Sequence, residues 1–252
     1  MSFNFRGLSW EKSISFRLKE LTHLNSLITD YSKPLVMFPF NDESRDREYF
    51  SKRVLAFMSP DVRFAQGADG SRAGSVELRG NFDSFIEIPN FVCGYADAAA
   101  TGSITILAFL YPTGGHGPIL CYEKNGYGLQ IWFEPFDADT GTLCAMFVRR
   151  DLSEVIPIRR TILNINAWNF IGVSYDYWTG VARLWHNGNE VEAITIARNF
   201  PLATQFPIRI GALDNPWQST FFTGRISHLH IYSKALDIAN IQAVGCISQT
   251  GE

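Results

Sequence analysis

The sequence lacks a large excess of charge of either sign. Lys and Arg number 22 and Asp and Glu 25, which gives a net charge of −3 at pH 7. Recognition of nucleic acid or of an acidic membrane surface needs Lys and Arg clustered on one face. The composition therefore argues against both as partners.

Long apolar runs are also missing. The longest, Ile104–Tyr111, falls far short of the ~20 residues that a membrane-spanning helix requires. In residues 1–31, charged side chains such as Arg6, Lys12 and Arg17 interrupt any stretch that could serve as the core of a signal peptide. The sequence predicts no membrane span and shows no export signal.

Reactive and metal-binding motifs are scarce as well. The four cysteines form no Cys-x-x-Cys pair and have no His at zinc-finger spacing, and the five histidines accompany no nucleophile signature. A thiolate metal site and a catalytic triad are therefore not expected. The cysteine count fits two disulfides and reduced thiols equally.

Short β-rich runs separated by Gly, Pro, Asn and Asp make up the chain from Pro34 onward, as is typical of antiparallel sandwiches. Hydrophobic residues amount to 46%, enough for one large core, and all-β sandwiches of this length occur as single domains. The predicted strands are Leu35–Phe40, Gly74–Leu78, Phe85–Ile88, Ser103–Tyr111, Ile119–Glu123, Tyr127–Glu134, Thr142–Arg149, Val155–Arg159, Asn169–Asp176, Val181–His186, Val191–Ile196, Ile208–Gly211 and Arg225–Tyr232.

Tight turns set the order of several of these strands. Asn125-Gly126 and Asn187-Gly188 each lie between two strands, where both residues can adopt positive φ, and Trp178-Thr179-Gly180 supplies a third turn. The strands that start at Asn169, Val181 and Val191 are therefore predicted to form an antiparallel meander.

Two segments are predicted to be helical. Ser13–Thr29 carries leucines at helical spacing, which predicts a short amphipathic helix within an N-terminal extension, residues 1–30. It either docks on a sandwich of residues 31–246 or serves as an assembly helix. Asp237–Val244 is predicted as a helical turn capped by Asp237, before a tail of residues 247–252.

Four motifs carry a family resemblance. They are Gly-Asn-Phe-Asp-Ser-Phe-Ile-Glu-Ile-Pro at 80–89, Ala-Trp-Asn-Phe-Ile-Gly-Val-Ser-Tyr-Asp at 167–176, Leu-Trp-His-Asn-Gly-Asn-Glu-Val at 184–191 and the closing strand at 222–232. In order and spacing they resemble the laminin-G-like branch of the concanavalin A-like lectin and glucanase superfamily.

The resemblance implies an all-β, two-sheet antiparallel jelly-roll sandwich of the concanavalin A type. It also implies a non-catalytic, extracellular recognition module that binds glycans or protein partners through a concave face and rim loops. One alternative is an interaction or assembly module that uses the N-terminal helix. A glycan hydrolase ranks third, because the paired carboxylates of such enzymes would appear as Glu-x-Asp-x-Glu, which is absent.

Calcium is the cofactor that the resemblance implies, at a site on the rim. Asp83 matches the first motif, and Asp214 and Asn215 in the loop before the last strand are further candidate ligands. However, Ser227 stands where the family commonly has an acidic residue, and Asp83 can equally stabilise its own turn. The loop that begins at Asp137 is interpreted as a hairpin tip.

A candidate ligand site follows from strand alternation. With Leu129, Ile131 and Phe133 facing the core, Gln130, Trp132 and Glu134 face outward, with Arg149 and Arg150 at the end of the next strand. A sugar ring can stack on such an aromatic face; alternatively, Trp132 packs beneath a loop or the N-terminal helix. Trp178 and Trp217 in predicted loops complete the candidate contacts.

The cysteines can be assigned in part. Cys121 and Cys144 lie on strands that should flank Tyr127–Glu134, ~9–10 Å apart and beyond the ~7 Å limit for a disulfide. By contrast, the closeness of terminal strands in jelly rolls of this family implies a bridge between Cys93 and Cys246.

Overall fold

The computed structural model describes residues 33–90, 94–123, 127–214 and 219–250. Fifteen strands, one α-helix and one 3-10 helix (Ala98–Ala100) are the regular elements of this part of the chain. The strands are β1 (Val36–Phe38), β2 (Phe57–Met58), β3 (Arg63–Ala65), β4 (Ser75–Arg79), β5 (Ile86–Ile88), β6 (Ile104–Gly115), β7 (Gly117–Glu123), β8 (Tyr127–Pro135), β9 (Thr140–Val148), β10 (Val155–Asn164), β11 (Asn169–Asp176), β12 (Val181–His186), β13 (Asn189–Thr195), β14 (Ile208–Ile210) and β15 (Phe222–Tyr232), and the helix is α1 (Ile238–Thr250).

These strands form two antiparallel sheets. Sheet A has the order β13-β12-β11-β6-β15-β4-β3, and β1 also pairs with β15; sheet B has the order β10-β9-β8-β7-β14-β5-β2. The predicted all-β, two-sheet antiparallel sandwich is confirmed. The predicted helix at Ser13–Thr29 and the N-terminal extension lie outside the described residues.

The core lies between the inner faces of the two sheets. Because successive side chains in a strand point to opposite faces, Leu129, Ile131 and Phe133 of β8 are buried there together with Leu143 and Phe147 of β9. The inward set predicted from alternation is thereby confirmed.

The predicted meander is confirmed by the register of β11, β12 and β13. Val173 pairs with Leu184, and Leu184 pairs in turn with Glu192. Asn187 and Gly188 between β12 and β13 have φ of 50° and 77°, the left-handed values of a tight hairpin turn. The Asn125-Gly126 turn lies outside the described residues.

Helix α1 extends further than the sequence predicts. The backbone N–H of Asn240 donates to Asp237 Oδ1 over 2.8 Å, so Asp237 caps the start as predicted, but the helix runs on to Thr250 through residues assigned to the tail. No helix in the described ranges is both long and apolar enough to cross a membrane.

A second apolar cluster lies on the outer face of sheet A. Leu107, Phe109 and Phe170 pack there against Ile241 of α1. Trp168 packs against this outer cluster and is partly buried. Burial of that apolar surface holds α1 on the sheet.

The predicted bridge between Cys93 and Cys246 is wrong for the structure, in which Cys246 is a free, exposed thiol. The prediction treated Cys246 as part of a chain returning beside the early strands, whereas it lies on α1. Cys93 itself lies outside the described residues.

The order β7-β8-β9 places Cys121 and Cys144 on either side of β8. Cys121 pairs in register with Gln130 and Cys144 with Trp132. Both thiols are free and buried. The prediction that these two cysteines do not bond to each other is confirmed.

A buried ion pair joins three loops at one end of the sandwich. The guanidinium of Arg150 donates two hydrogen bonds of 2.9 Å to Asp97, whose side chain is fully buried and also accepts from Thr204 Oγ1 over 2.8 Å. Such a two-pronged contact fixes geometry more tightly than a single hydrogen bond. It holds the segment after β9 to the loop before β6.

Three histidines of sheet A are wholly or partly buried: His228 and His230 on β15 and His186 on β12. Burial lowers the pKa of His230 from 6.5 to about 3, and its Nε2 has no hydrogen-bond partner. Burial also lowers the pKa of His228, against the opposing effect of Asp69, and the pKa of His186. All three groups favour the neutral imidazole in the folded state.

We predict that acid destabilises the fold through these histidines. A depressed pKa in the folded state means that the unfolded chain binds more protons, so stability is full above pH 6.5 and falls as the pH drops toward 3. The depressed pKa of His230 alone should lower the free energy of unfolding by about 2 kcal/mol at pH 5. Thermal unfolding between pH 7.5 and 4.5 measures the slope. His230→Phe should reduce this slope, and an unchanged slope would contradict the assignment.

We predict that Asp97→Asn destabilises the protein by about 3–5 kcal/mol, because it leaves the Arg150 guanidinium without its carboxylate. Urea unfolding measures the loss. The control is Asp42→Asn, which breaks a pair with Arg45 in which both side chains are more than half exposed and should cost less than about 1 kcal/mol. Equal losses in the two variants would show that the buried pair has no special role.

Candidate functional site

The outer face of sheet B carries the predicted ligand site. Gln130, Trp132 and Glu134 alternate with the core residues of β8 and point to this face. Cys144 and Met146 of β9 lie beside them, opposite Trp132 and Gln130 in register. This surface is called the Trp132 face below.

The indole of Trp132 is held in place by polar and aromatic contacts. Its Nε1–H donates to Gln130 Oε1 over 2.8 Å, and its ring meets His116 edge to face with centroids 5.8 Å apart. Gln130 is itself buried, whereas Trp132 keeps part of its surface exposed. The ring is therefore fixed in orientation and open to contact, as a stacking platform requires.

Polar side chains border this ring on one side. Glu134 forms an ion pair with Arg159 of β10, and Thr142 shares a 2.8 Å hydrogen bond with Thr161. Arg159, Thr142 and Thr161 line an open depression of about 530 Å³ together with Arg160 and Phe136, which is 70% exposed. The face thus offers an aromatic ring beside hydrogen-bond donors and acceptors.

Cys121 and Cys144 add no reactivity to this face. Burial raises the pKa of both thiols, and Glu123 and Glu134 raise it further at Cys121 and Cys144 respectively. Since the thiolate is the nucleophilic form, these surroundings disfavour the reactive form of both cysteines.

Arg149 and Arg150 are not available to a ligand at the end of the Trp132 face, contrary to the prediction. Arg149 lies over the ring of Phe200, 4.7 Å from its centroid, and pairs with Glu154 over 3.3 Å. Arg150 is bound to Asp97. The strand ends in a turn that folds both side chains onto other loops, which strand alternation alone does not reveal.

The remaining predicted aromatic contacts are not brought to the Trp132 face. Trp178 is 72% exposed in the turn between β11 and β12, on sheet A. The turn is rigid, since Asp176 accepts from the backbone of Trp178 and the hydroxyl of Thr179. Trp217 lies outside the described residues.

The described ranges contain no group of three or more His, Cys, Asp or Glu able to hold a metal, and the calcium site at Asp83, Asp214 and Asn215 stays a prediction. Asp214 Oδ1 lies 3.7 Å from the Arg209 guanidinium, whose positive charge opposes a cation. Asp83 lines a separate cleft with Phe57. Asn215 lies outside the described residues.

A charged cluster on the same outer face was missed from the sequence. Arg209 of β14, 5% exposed in its side chain, binds Glu87 over 3.0 Å, and Glu123 accepts from the backbone of Asp214 over 3.1 Å. Burial raises the pKa of Glu123. These residues come from three strands distant in the sequence, so only pairing of β5, β14 and β7 reveals them.

Solved structures with a similar fold are binding domains of larger toxins. The receptor-binding domain of botulinum neurotoxin type G has a TM-score of 0.62 at 15% identity, covering 86% of this chain and 51% of that one. The binding domain of Paraclostridial Mosquitocidal Protein 1 has a TM-score of 0.63 at 16% identity, over 83% and 51%. The binding domain of botulinum neurotoxin DC, solved with rat synaptotagmin II, has a TM-score of 0.64 at 13% identity, over 86% and 52%.

These similarities extend over only part of each neighbour. The chain spans about half the length of each binding domain, and at such low identity the likeness shows the fold alone. No curated protein has a significant sequence match. A family model described as concanavalin A-like lectin/glucanases superfamily matches residues 80–242. The chain belongs to the concanavalin A-like lectin/glucanases superfamily.

Proposed function

We propose that this chain is a non-catalytic recognition module that works outside the cell and binds glycans through the Trp132 face. The observation that carries the proposal is the partly exposed indole of Trp132, whose Nε1–H is bound to Gln130. A sugar ring presents C–H groups to an aromatic face and hydroxyls to polar groups around it.

The surroundings of Trp132 suit a polyhydroxylated ligand. Glu134 and Arg159 neutralise each other as an ion pair, and Thr142 and Thr161 add hydroxyls at the same edge. A neutral border with both donors and acceptors favours an uncharged sugar over an anionic one. Arg149 and Arg150 are engaged with Glu154 and Asp97 and add no positive charge to this border.

The structural neighbours support the class of module. The binding domain of botulinum neurotoxin DC has been solved in complex with rat synaptotagmin II and in complex with SialylT. The part of those domains that this chain resembles is about half of each, so the support is for recognition as a role and not for a particular ligand.

The contacts of the carboxylates on the outer face of sheet B argue against glycoside hydrolysis. It requires one carboxylic acid and one carboxylate that face the substrate across the scissile bond. In the described part of this face, Glu134 is paired with Arg159, Glu87 with Arg209, and Glu123 binds the backbone of Asp214. Each of the three carboxylates is therefore already engaged with another group of the chain.

We predict that Trp132→Ala weakens the binding of the glycans selected on an array by about five- to thirtyfold, because loss of ring stacking removes roughly 1–2 kcal/mol. Trp132→Phe should recover part of the affinity. Biolayer interferometry on the strongest array ligands, with and without calcium, measures the change. Thermal unfolding of each variant separates lost stacking from lost stability.

The matched control is Trp178→Ala, which removes a more exposed tryptophan from the other sheet. Its glycan affinity should equal that of the wild type. Loss of binding in Trp178→Ala with full binding in Trp132→Ala would move the site to sheet A. A wild-type chain that binds no array glycan would refute the proposal.

A further inference from the structure

A second cleft lies at the far edge of sheet B, where β2 is the last strand. Its volume is about 620 Å³, and its lining includes Phe57, Asp61, Arg63, Asn81, Asp83 and Phe85. This volume is within the range of sites for small ligands or single side chains. The name Phe57 cleft is used for it below.

Two phenyl rings form the apolar wall of this cleft. Phe57 is 54% exposed, and its ring centroid lies 5.9 Å from that of Phe85. More than half of the Phe57 surface is therefore open to solvent, and covering it with a ligand would bury apolar surface. The rings therefore form a platform on which a ligand can lie.

Phe85 already binds a guanidinium on the inner side. The Cζ atom of Arg209 lies 3.7 Å from its ring centroid, and the same guanidinium pairs with Glu87 over 3.0 Å. The arrangement combines a cation over an aromatic face with a carboxylate at its edge. One ring of this aromatic pair, Phe85, thus already binds a guanidinium within the fold.

The outer side of the cleft also has an aromatic ring, Phe57, and a carboxylate, Asp83, but no cation is bound between them in the described ranges. The Asp83 carboxylate accepts no hydrogen bond and forms no ion pair within the described ranges, and no cation there lies over Phe57. Asp61, by contrast, is satisfied by Asn81 over 2.7 Å and by Arg79 over 3.0 Å. The hydrogen bond from Asn81, followed by the charge of Arg79, lowers the pKa of Asp61.

Arg63 is the one cation of the lining, and it is turned toward its own backbone. Its NH1 donates to the carbonyls of Pro60 and Val62, the latter over 3.1 Å, and its NH2 lies 3.9 Å from Asp61. This anchoring leaves the Asp83 carboxylate without an ion pair among the described residues. The guanidinium of Arg63 keeps its own positive charge, which repels an incoming cation.

We propose that the Phe57 cleft binds the guanidinium group of an arginine side chain presented by a protein partner. The guanidinium stacks on Phe57 and pairs with the Asp83 carboxylate, as Arg209 does with Phe85 and Glu87. Arginine suits this cleft better than lysine because its planar group can stack and donate in a fork at once. The site is independent of the Trp132 face and of the glycan proposal.

The experiment uses N-acetyl-L-arginine amide as the probe and its citrulline analogue as the matched neutral control. The full chain is titrated with each and followed by NMR chemical shifts. Arginine amide should bind with a Kd on the order of 1–10 mM, as expected for a ligand of this size at an open site, with shifts confined to the cleft. Citrulline amide should bind at least about threefold more weakly, and added salt should weaken only the arginine amide.

Three variants test the roles of individual side chains. Phe57→Leu and Asp83→Asn should each weaken arginine binding by about two- to fivefold, whereas Arg63→Gln should strengthen it because it removes a repelling charge. Phe50→Ala, which truncates a phenylalanine of 45% exposure outside the cleft, should leave the Kd unchanged.

Several results would overturn the proposal. They are equal affinity for citrulline amide, weaker binding in Arg63→Gln, and the absence of any shift in the cleft with either probe. The first two would identify the cleft as a site for a neutral polar ligand such as a sugar. Trp132→Ala should bind arginine amide normally, so failure of the glycan proposal is distinguishable from failure of this one.

Discussion

Strand alternation in sheet B is the constraint on which the site depends. Burial of Leu129, Ile131 and Phe133 between the sheets fixes the register of β8, because a slip of one residue would send the whole apolar set to solvent. The same register places Gln130 and Trp132 outward. The core therefore determines which side chains a ligand can meet, and changes on the outer face can alter recognition without altering the fold.

Polar contacts then make that outer face rigid. Gln130 binds the indole of Trp132, Arg159 binds Glu134, and Arg209 is held between Phe85 and Glu87. Each contact limits the rotamers of a side chain that would otherwise be mobile, so less entropy is lost when a ligand orders it. Such preorganisation suits the binding role that we propose for this face.

The parts of the fold set by local pattern could be predicted from the sequence. Alternation identified the faces of β8, and the glycine turns identified the meander of β11 to β13. Long-range pairing could not be predicted: Arg209 meets Glu87 only because β14 pairs with β5. Likewise, strand alternation predicts Arg150 at the end of the strand next to Trp132, as part of the ligand site, whereas the turn after β9 takes it to Asp97. Short edge strands such as β2, which has two residues, are too short to show the alternation of apolar and polar residues that identifies a strand.

Hydroxyl-radical footprinting with mass spectrometry tests the central claim most directly, because it reports which side chains a bound glycan covers. In the presence of the strongest array ligand, protection should appear at Trp132 and Met146, which lie on the outer face of sheet B. Trp178, exposed on sheet A, should be oxidised at an unchanged rate and serves as the internal reference. Protection of Trp178 together with unchanged oxidation at Trp132 would contradict the account.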